Sequence, residues 1–408
     1  MTHPIARFVI MSAAALAVIG YAAGFEAAGQ DGEVTYEIRP LSSLGGTSSR
    51  GNGINDWGLV SGFSNLEENT ARRAVVWFHD RKFQLDPVGG TNSSVAWSGL
   101  NNSALVVGIT QTSKLQTRTD GWSCRIFFPG PDNMKYTCVG FVWHSGRVIP
   151  LPTLGGDNGF AASANNRRQV VGWAETTVTD PTCMDPTQPG FLPVLWDLNK
   201  KETVALPPFG NDTAGAATAI SERGHVVGIS GDCDQSVGRR SARHAVLWKD
   251  GTVKDLGNVG NDTWNTPTAI TRGGDIVVGF ANAPGAGPDE LKFRAWLWTE
   301  RDDIACSKLP GTDICDLGTL DPDGTAEAWG VNERGQVVGT ACPPVGSCKA
   351  FLWEQGEMKD LNDFKGSYPH HLENAMDINN LGQITGRAIT SAGREAVVAT
   401  PSTRHTLP

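Results

Sequence analysis

ATAISERGHVVGIS (Ala217 to Ser230), followed by HAVLWKDGTVKDLG (His244 to Gly257), is the stretch that decides how this chain folds. In its first half, two apolar runs flank a four-residue turn ending in Gly224. Glycine accepts the left-handed conformation that closes such a turn, so the half reads as a β-hairpin. The second half repeats the plan: Trp248 ends one apolar run and Gly251 turns the chain three residues later. Two hairpins make four antiparallel strands, A to D.

Outward from this copy the pattern recurs. Ala328 to Thr340 and Lys349 to Leu361 form a second clear example. The last glycine of the A–B hairpin sets the register at Gly62, Gly108, Gly172, Gly228, Gly279, Gly339 and Gly386. An apolar residue stands eight positions earlier in six copies. In the fifth, Ile270 is nine earlier, which predicts a turn one residue longer. Trp143, Trp248 and Trp353 each precede a glycine by three residues and a leucine by eight. A four-stranded unit returning every 46 to 64 residues is the pattern of propeller blades. Strand A is rich in small residues, which suits the crowded inner position. The tryptophans recur at one strand C position, which fits packing between blades rather than a ligand row. The expectation is an all-β chain: one seven-bladed β-propeller of four-stranded antiparallel blades, spanning residues 30–408.

The seventh copy has strands A and B (Met376 to Arg387) and C (Glu395 to Thr400) but no D. An orphan segment, Val34 to Leu41, resembles a D strand and leads into Leu44-Gly45-Gly46. It is expected to pair onto the last blade and close the ring by covering an open edge.

Arg7, the apolar stretch from Phe8 to about Ala23 and the small residues after it have the layout of a secretory signal peptide, residues 1–29. The mature chain is expected to begin between Phe25 and Asp31, secreted or periplasmic, with no stable membrane insertion after cleavage. Eight cysteines fit an oxidising compartment, and no C-x-x-C pair suggests zinc. Three pairings close short segments: Cys124–Cys138, Cys306–Cys315 and Cys342–Cys348. Cys183 and Cys233, in B–C loops of neighbouring repeats, are left to pair by elimination.

At these motifs the chain resembles the HAF-family extracellular repeat proteins. Leu-Gly-Gly is intact at Leu44 and Leu154. The His-Ala-Phe strand start is degenerate, as His244-Ala245-Val246, Lys349-Ala350-Phe351, Arg73-Ala74-Val75 and Arg294-Ala295-Trp296. The resemblance covers about Tyr36 to Thr400. It implies export and a repeat fold, and brings no catalytic residues with it.

The net charge of −9 and the lack of a basic run exclude nucleic acid as a partner. The B–C loops vary most: 35 residues separate Gly108 from Trp143, against 14 between Gly339 and Trp353. Variable loops on a rigid scaffold carry binding, so the B–C/D–A face is the expected site for an extracellular protein or polysaccharide ligand. Arg73, His244, Arg294 and Lys349 share one repeat position there and form the candidate ligand contacts. The competing expectation pairs His244, Arg294 and Lys349 with Asp255, Asp316 and Asp360 across the strands. Asp321-Pro322-Asp323-Gly324 with Glu327 is explained by turn chemistry, and His370-His371 lacks partner ligands, so no metal or cofactor is expected. No catalytic residue is assigned. A binding module is the reading, with a propeller lyase or hydrolase of extracellular glycans as the alternative.

Overall fold

The computed structural model describes residues 34–117, 122–185, 187–234, 238–260, 263–287 and 290–403. The signal-like segment 1–29 lies outside the described residues. The chain is all-β, built from four-stranded antiparallel units. The deciding stretch forms strands Ala214–Ile220, Val226–Gly231, His244–Lys249 and Thr252–Asp255, each paired with the next. Four more sheets have this order, beginning at Gly89–Ser94, Gly155–Ala164, Asn265–Ile270 and Thr325–Val331. The remaining eight strands form a sixth sheet. Within it, Gly45–Ile54, Val60–Leu66, Arg72–Phe78 and Arg81–Leu85 are one unit. His371–Ile378, Ile384–Thr390, Gly393–Thr403 and Val34–Pro40 are the other. A single parallel bridge, Ser48 to Arg394, joins them, and no continuous ladder runs round the molecule.

The N-terminal strand pairs antiparallel with the last one, from Val34 opposite Thr403 to Pro40 opposite Val397. It occupies the place that strand D holds elsewhere. Leu41 N–H donates to Ala396 O at 2.8 Å, as Leu151 N–H does to Gly140 O and Leu256 N–H to Ala245 O. The strand C tryptophans give the same alignment. Trp196 Nε1 donates to Pro152 O at 2.9 Å and Trp248 Nε1 to Pro207 O at 2.7 Å, each just past the preceding repeat's strand D. Trp77 Nε1 donates to Ser42 O at 3.0 Å, just past the N-terminal strand. These rings are buried between neighbouring units, and truncating one to alanine costs about 3–5 kcal/mol.

The turns follow local chemistry. Asn55 Oδ1 accepts from the N–H groups of Trp57 and Leu59, while Gly58 sits at φ +75°. In the second and third repeats Ala104 and Arg168 take the left-handed place instead, at φ 57° and 63°. The fifth turn is one residue longer, as its spacing predicts: Thr271 N–H reaches Ile276 O, where Asn55 N–H reaches Leu59 O. In the C–D hairpins Asp250-Gly251 and Gln355-Gly356 both have positive φ, the two-residue turn whose twist matches the strands.

All four expected disulfides are present: Cys124–Cys138, Cys183–Cys233, Cys306–Cys315 and Cys342–Cys348. The second joins loops of adjacent units. Among the described residues no helix is long and apolar enough to cross a membrane.

Candidate functional site

The first strands of the units face one another around a central channel. At its A–B turn end lies a recess of about 110 Å³, lined by Ile54, Asp56, Leu100, Arg272, Asp377 and their counterparts in the other repeats. Its polar groups are occupied by one another. Backbone N–H groups pass from turn to turn: Asp56 to Asn102 Oδ1, Ser103 to Asn166 Oδ1, Asn166 to Glu222 Oε1. The relay continues from Glu222 to Arg272 O, Arg272 to Glu333 Oε1, Glu333 to Asn380 Oδ1, and Asn380 back to Asp56 Oδ1. Arg272 also pairs with Asp56 at 2.9 Å. Burial pushes the Asp377 carboxyl up to about 7, although it accepts from Ile54 and Ile378 N–H. This end is a structural lock.

Trp97 divides the channel. Its indole N–H crosses from the second repeat to Thr268 O in the fifth, at 3.2 Å. Its ring meets Trp329 of the sixth repeat edge-on, centroids 5.7 Å apart.

Beyond this floor, toward the B–C and D–A loops, the charges are of one dominant sign. Arg50 and Arg72 come from the first repeat, and Arg387 and Arg394 from the last. Glu373 binds Arg387 at 2.5 Å and Arg394 at 3.1 Å. Despite burial, these two arginines hold its carboxyl below the usual range. Arg72 donates to Asn65 Oδ1 (3.1 Å) and Phe127 O (2.9 Å), with its guanidinium 3.9 Å above the Phe63 ring. Arg50 has no ion pair among the described residues. Among the described residues its guanidinium makes one hydrogen bond, from Nη2 to Ala96 O at 3.5 Å, and its buried Nε finds no partner. Burial, then the charges of Arg387 and Arg72, push Arg50 well below its ordinary range, only partly offset by Glu373 and Glu327. Burial raises the Glu327 carboxyl to about 7, with Arg50 pulling the other way. A part-exposed guanidinium with a buried, unbonded Nε and like charges beside it is costly in an empty site and favourable once an anion arrives.

The residues expected from sequence to bind ligand lie elsewhere. Each is on strand C, the third of its unit, the strand that also carries Arg72 and Arg394. Arg73 is 3.9 Å from Asp86 and donates to Thr91 O. His244 Nδ1 is 2.9 Å from Asp212, and Lys349 is 3.5 Å from Asp360 and 3.9 Å from Asp321. Arg294 forms no ion pair among the described residues. The expected cross-strand partner is thus present for Lys349 and absent for His244 and Arg294. Strand pairing ends at Val246 opposite Asp255, two residues short of His244, and the short imidazole cannot span that diagonal. Asp255 and Asp316 instead accept from the N–H groups of Gly257 and Gly318. Asp180, Cys183 and Cys233 cluster closely, but both sulfurs are in a disulfide and bind no metal as such.

No protein-family model matches the chain, and no curated protein matches it. Solved structures of similar outline include the β-propeller domain of the Trilobed protease from Pyrococcus furiosus. Its TM-score is 0.48 at 11% identity, over 90% of this chain and 95% of that one. TolB from Acinetobacter baumannii gives 0.38 at 10% identity, over 85% and 64%. Trypanosoma rangeli sialidase gives 0.37 at 8% identity, over 89% and 59%. At these values the fold rests on the chain's own strand pairing.

Proposed function

We propose that this chain is an exported seven-bladed β-propeller, closed by its N-terminal strand, that binds an anionic ligand at the B–C/D–A mouth of its central channel. The relay of hydrogen bonds from turn to turn supports seven blades in a ring. The matching places of Ser42, Pro152 and Pro207 support the closure. Four disulfides and the signal-like start fit export, and the motifs' resemblance to HAF-family extracellular repeat proteins fits the same picture.

One observation carries the binding role: Arg50 stands beside the charges of Arg72 and Arg387 with Glu373 and Glu327 offsetting them only in part, its Nε unbonded, and no carboxylate in ion-pair contact with it among the described residues. A structural arginine at such a depth would have a carboxylate of its own. The glycan-cleaving alternative asks for converging carboxyl groups. Glu373 is tied up by two arginines, and Asp377 and Glu327 are not among the charges acting on each other.

Thermal unfolding in acetate or inorganic phosphate, against chloride at equal ionic strength, tests the proposal. The wild-type protein should be stabilised by the added anion. Arg50→Met should melt higher than wild type in chloride, because a buried unpaired charge is gone, and should lose the anion response. Equal responses in both proteins would remove the site.

A further inference from the structure

We infer that the anion is the carboxylate of a sugar, a uronic acid residue of a polysaccharide. This rests on the anion-binding reading above and adds to it the shape of the rest of the ligand. The wall beside the arginines is aromatic. Phe127, whose carbonyl accepts from Arg72, stacks on Phe160 at 5.1 Å with planes 4° apart. Phe160 meets Trp97 at 6.5 Å, Trp97 meets Trp329 at 5.7 Å, and Trp329 meets Phe280 at 5.5 Å. Phe160 and Phe280 are buried behind, while Phe127, Trp97 and Trp329 keep part of their surface open.

Trp329 lies two residues after Glu327 on the same inner strand, at a register shift between Ala328 and Gly330. The indole N–H of Trp329 has no hydrogen-bond partner among the described residues. At the strand position equivalent to Arg50 and Glu327 stands Asn374, whose buried Oδ1 finds no protein partner. The mouth therefore joins three things: cationic donors, an open aromatic face, and unpaired neutral donor and acceptor atoms. A bare inorganic anion uses only the first. A pyranose carrying a carboxylate uses all three: guanidinium forks for the carboxylate, C–H faces on the indole, and hydroxyls for the Trp329 N–H and the Asn374 carbonyl. Glu373 and Glu327 already offset part of the positive field, so the added ligand need carry only one charge.

Titration calorimetry with D-glucuronate, D-glucose and acetate, on wild type and Trp329→Ala, is the test. Glucuronate should bind at least ten-fold more tightly than acetate, with glucose undetectable. Trp329→Ala should bring glucuronate down to the affinity of acetate and leave acetate unchanged. Glucuronate should also perturb the tryptophan fluorescence of the wild-type protein, which keeps the test valid if the variant does not fold. Equal affinities for glucuronate and acetate would overturn the sugar and leave the anion site standing. No binding of either anion would overturn both.

Discussion

The side-chain amide of Asn379 donates to the carbonyl of Asn55 at 2.9 Å, across 324 residues of sequence. The same bond runs between sequence neighbours, from Asn55 to Asn101 O, Asn101 to Asn165 O and Asn332 to Asn379 O. Each asparagine also caps its own turn; Asn379 Oδ1 accepts from Leu381 and Gln383 N–H. The joint between the chain's two ends is therefore made of the same contact that joins consecutive repeats.

Asn379→Ala should destabilise the protein by about 2–3 kcal/mol, because both the turn cap and the cross-joint bond go. Asn379→Ser should lose only about 1 kcal/mol. Ser221, at the equivalent position, already caps its turn through Oγ to His225 N–H and carries no amide. Urea unfolding of the two variants measures this: an Asn379→Ser variant as stable as wild type would mean that the cross-joint bond adds nothing, and an equal loss in both would mean that the turn cap adds nothing.

Stability should depend on pH through Glu327. Its folded-state carboxyl titrates near 7, above its ordinary value of 4.5. Between those values the folded protein binds more protons than the unfolded chain, so this group lowers stability as pH rises. Glu327→Gln removes the effect. The variant should match wild type near pH 4.5 and gain on it progressively up to pH 8 in thermal melts. Anion affinity should follow the same group: it should strengthen as pH falls from 8 to 6 in the wild type, and stay flat in Glu327→Gln. A variant that tracks wild type at every pH would place Glu327 in solvent.

The disulfides should differ in worth by the chain they enclose. Cys183 and Cys233 are 50 residues apart and Cys342 and Cys348 are 6 apart. Loop-closure entropy gives about 4 kcal/mol for the first and about 2 kcal/mol for the second. Replacing each pair by serines and comparing denaturant midpoints checks the order. A larger loss from the short loop would show that something other than chain entropy dominates.

The hairpins, their register and three of the cysteine pairs were legible because each is written locally, in glycine spacing and short loops, and Cys183–Cys233 followed by elimination. The N-terminal strand was legible because a missing strand D at one end met a spare one at the other. The arginine site was not. Arg50 and Arg387 are 337 residues apart and meet only through the joint. The visible hint was a column: Arg50 and Glu327 stand at a strand A position filled elsewhere by the uncharged Ser94, Phe160, Ala216, Thr266 and Asn374. Charged residues among uncharged ones at an inner position carried more information than the four basic residues singled out on strand C. Those have local acids or backbone carbonyls to satisfy them, as Arg73, His244 and Lys349 do.

Because the site takes Arg50 and Arg72 from one end of the chain and Glu373 and Arg387 from the other, everything depends on that joint. Thr35 and Ser402 lie opposite each other in it, hydroxyls 3.0 Å apart. Directly opposed residues of antiparallel strands are within disulfide reach. Non-reducing peptide mapping of the Thr35→Cys, Ser402→Cys double variant is the direct measurement. The account predicts a monomer in which peptides carrying positions 35 and 402 are cross-linked. Both thiols remaining free to alkylation, or a cross-link only between two chains, would contradict it.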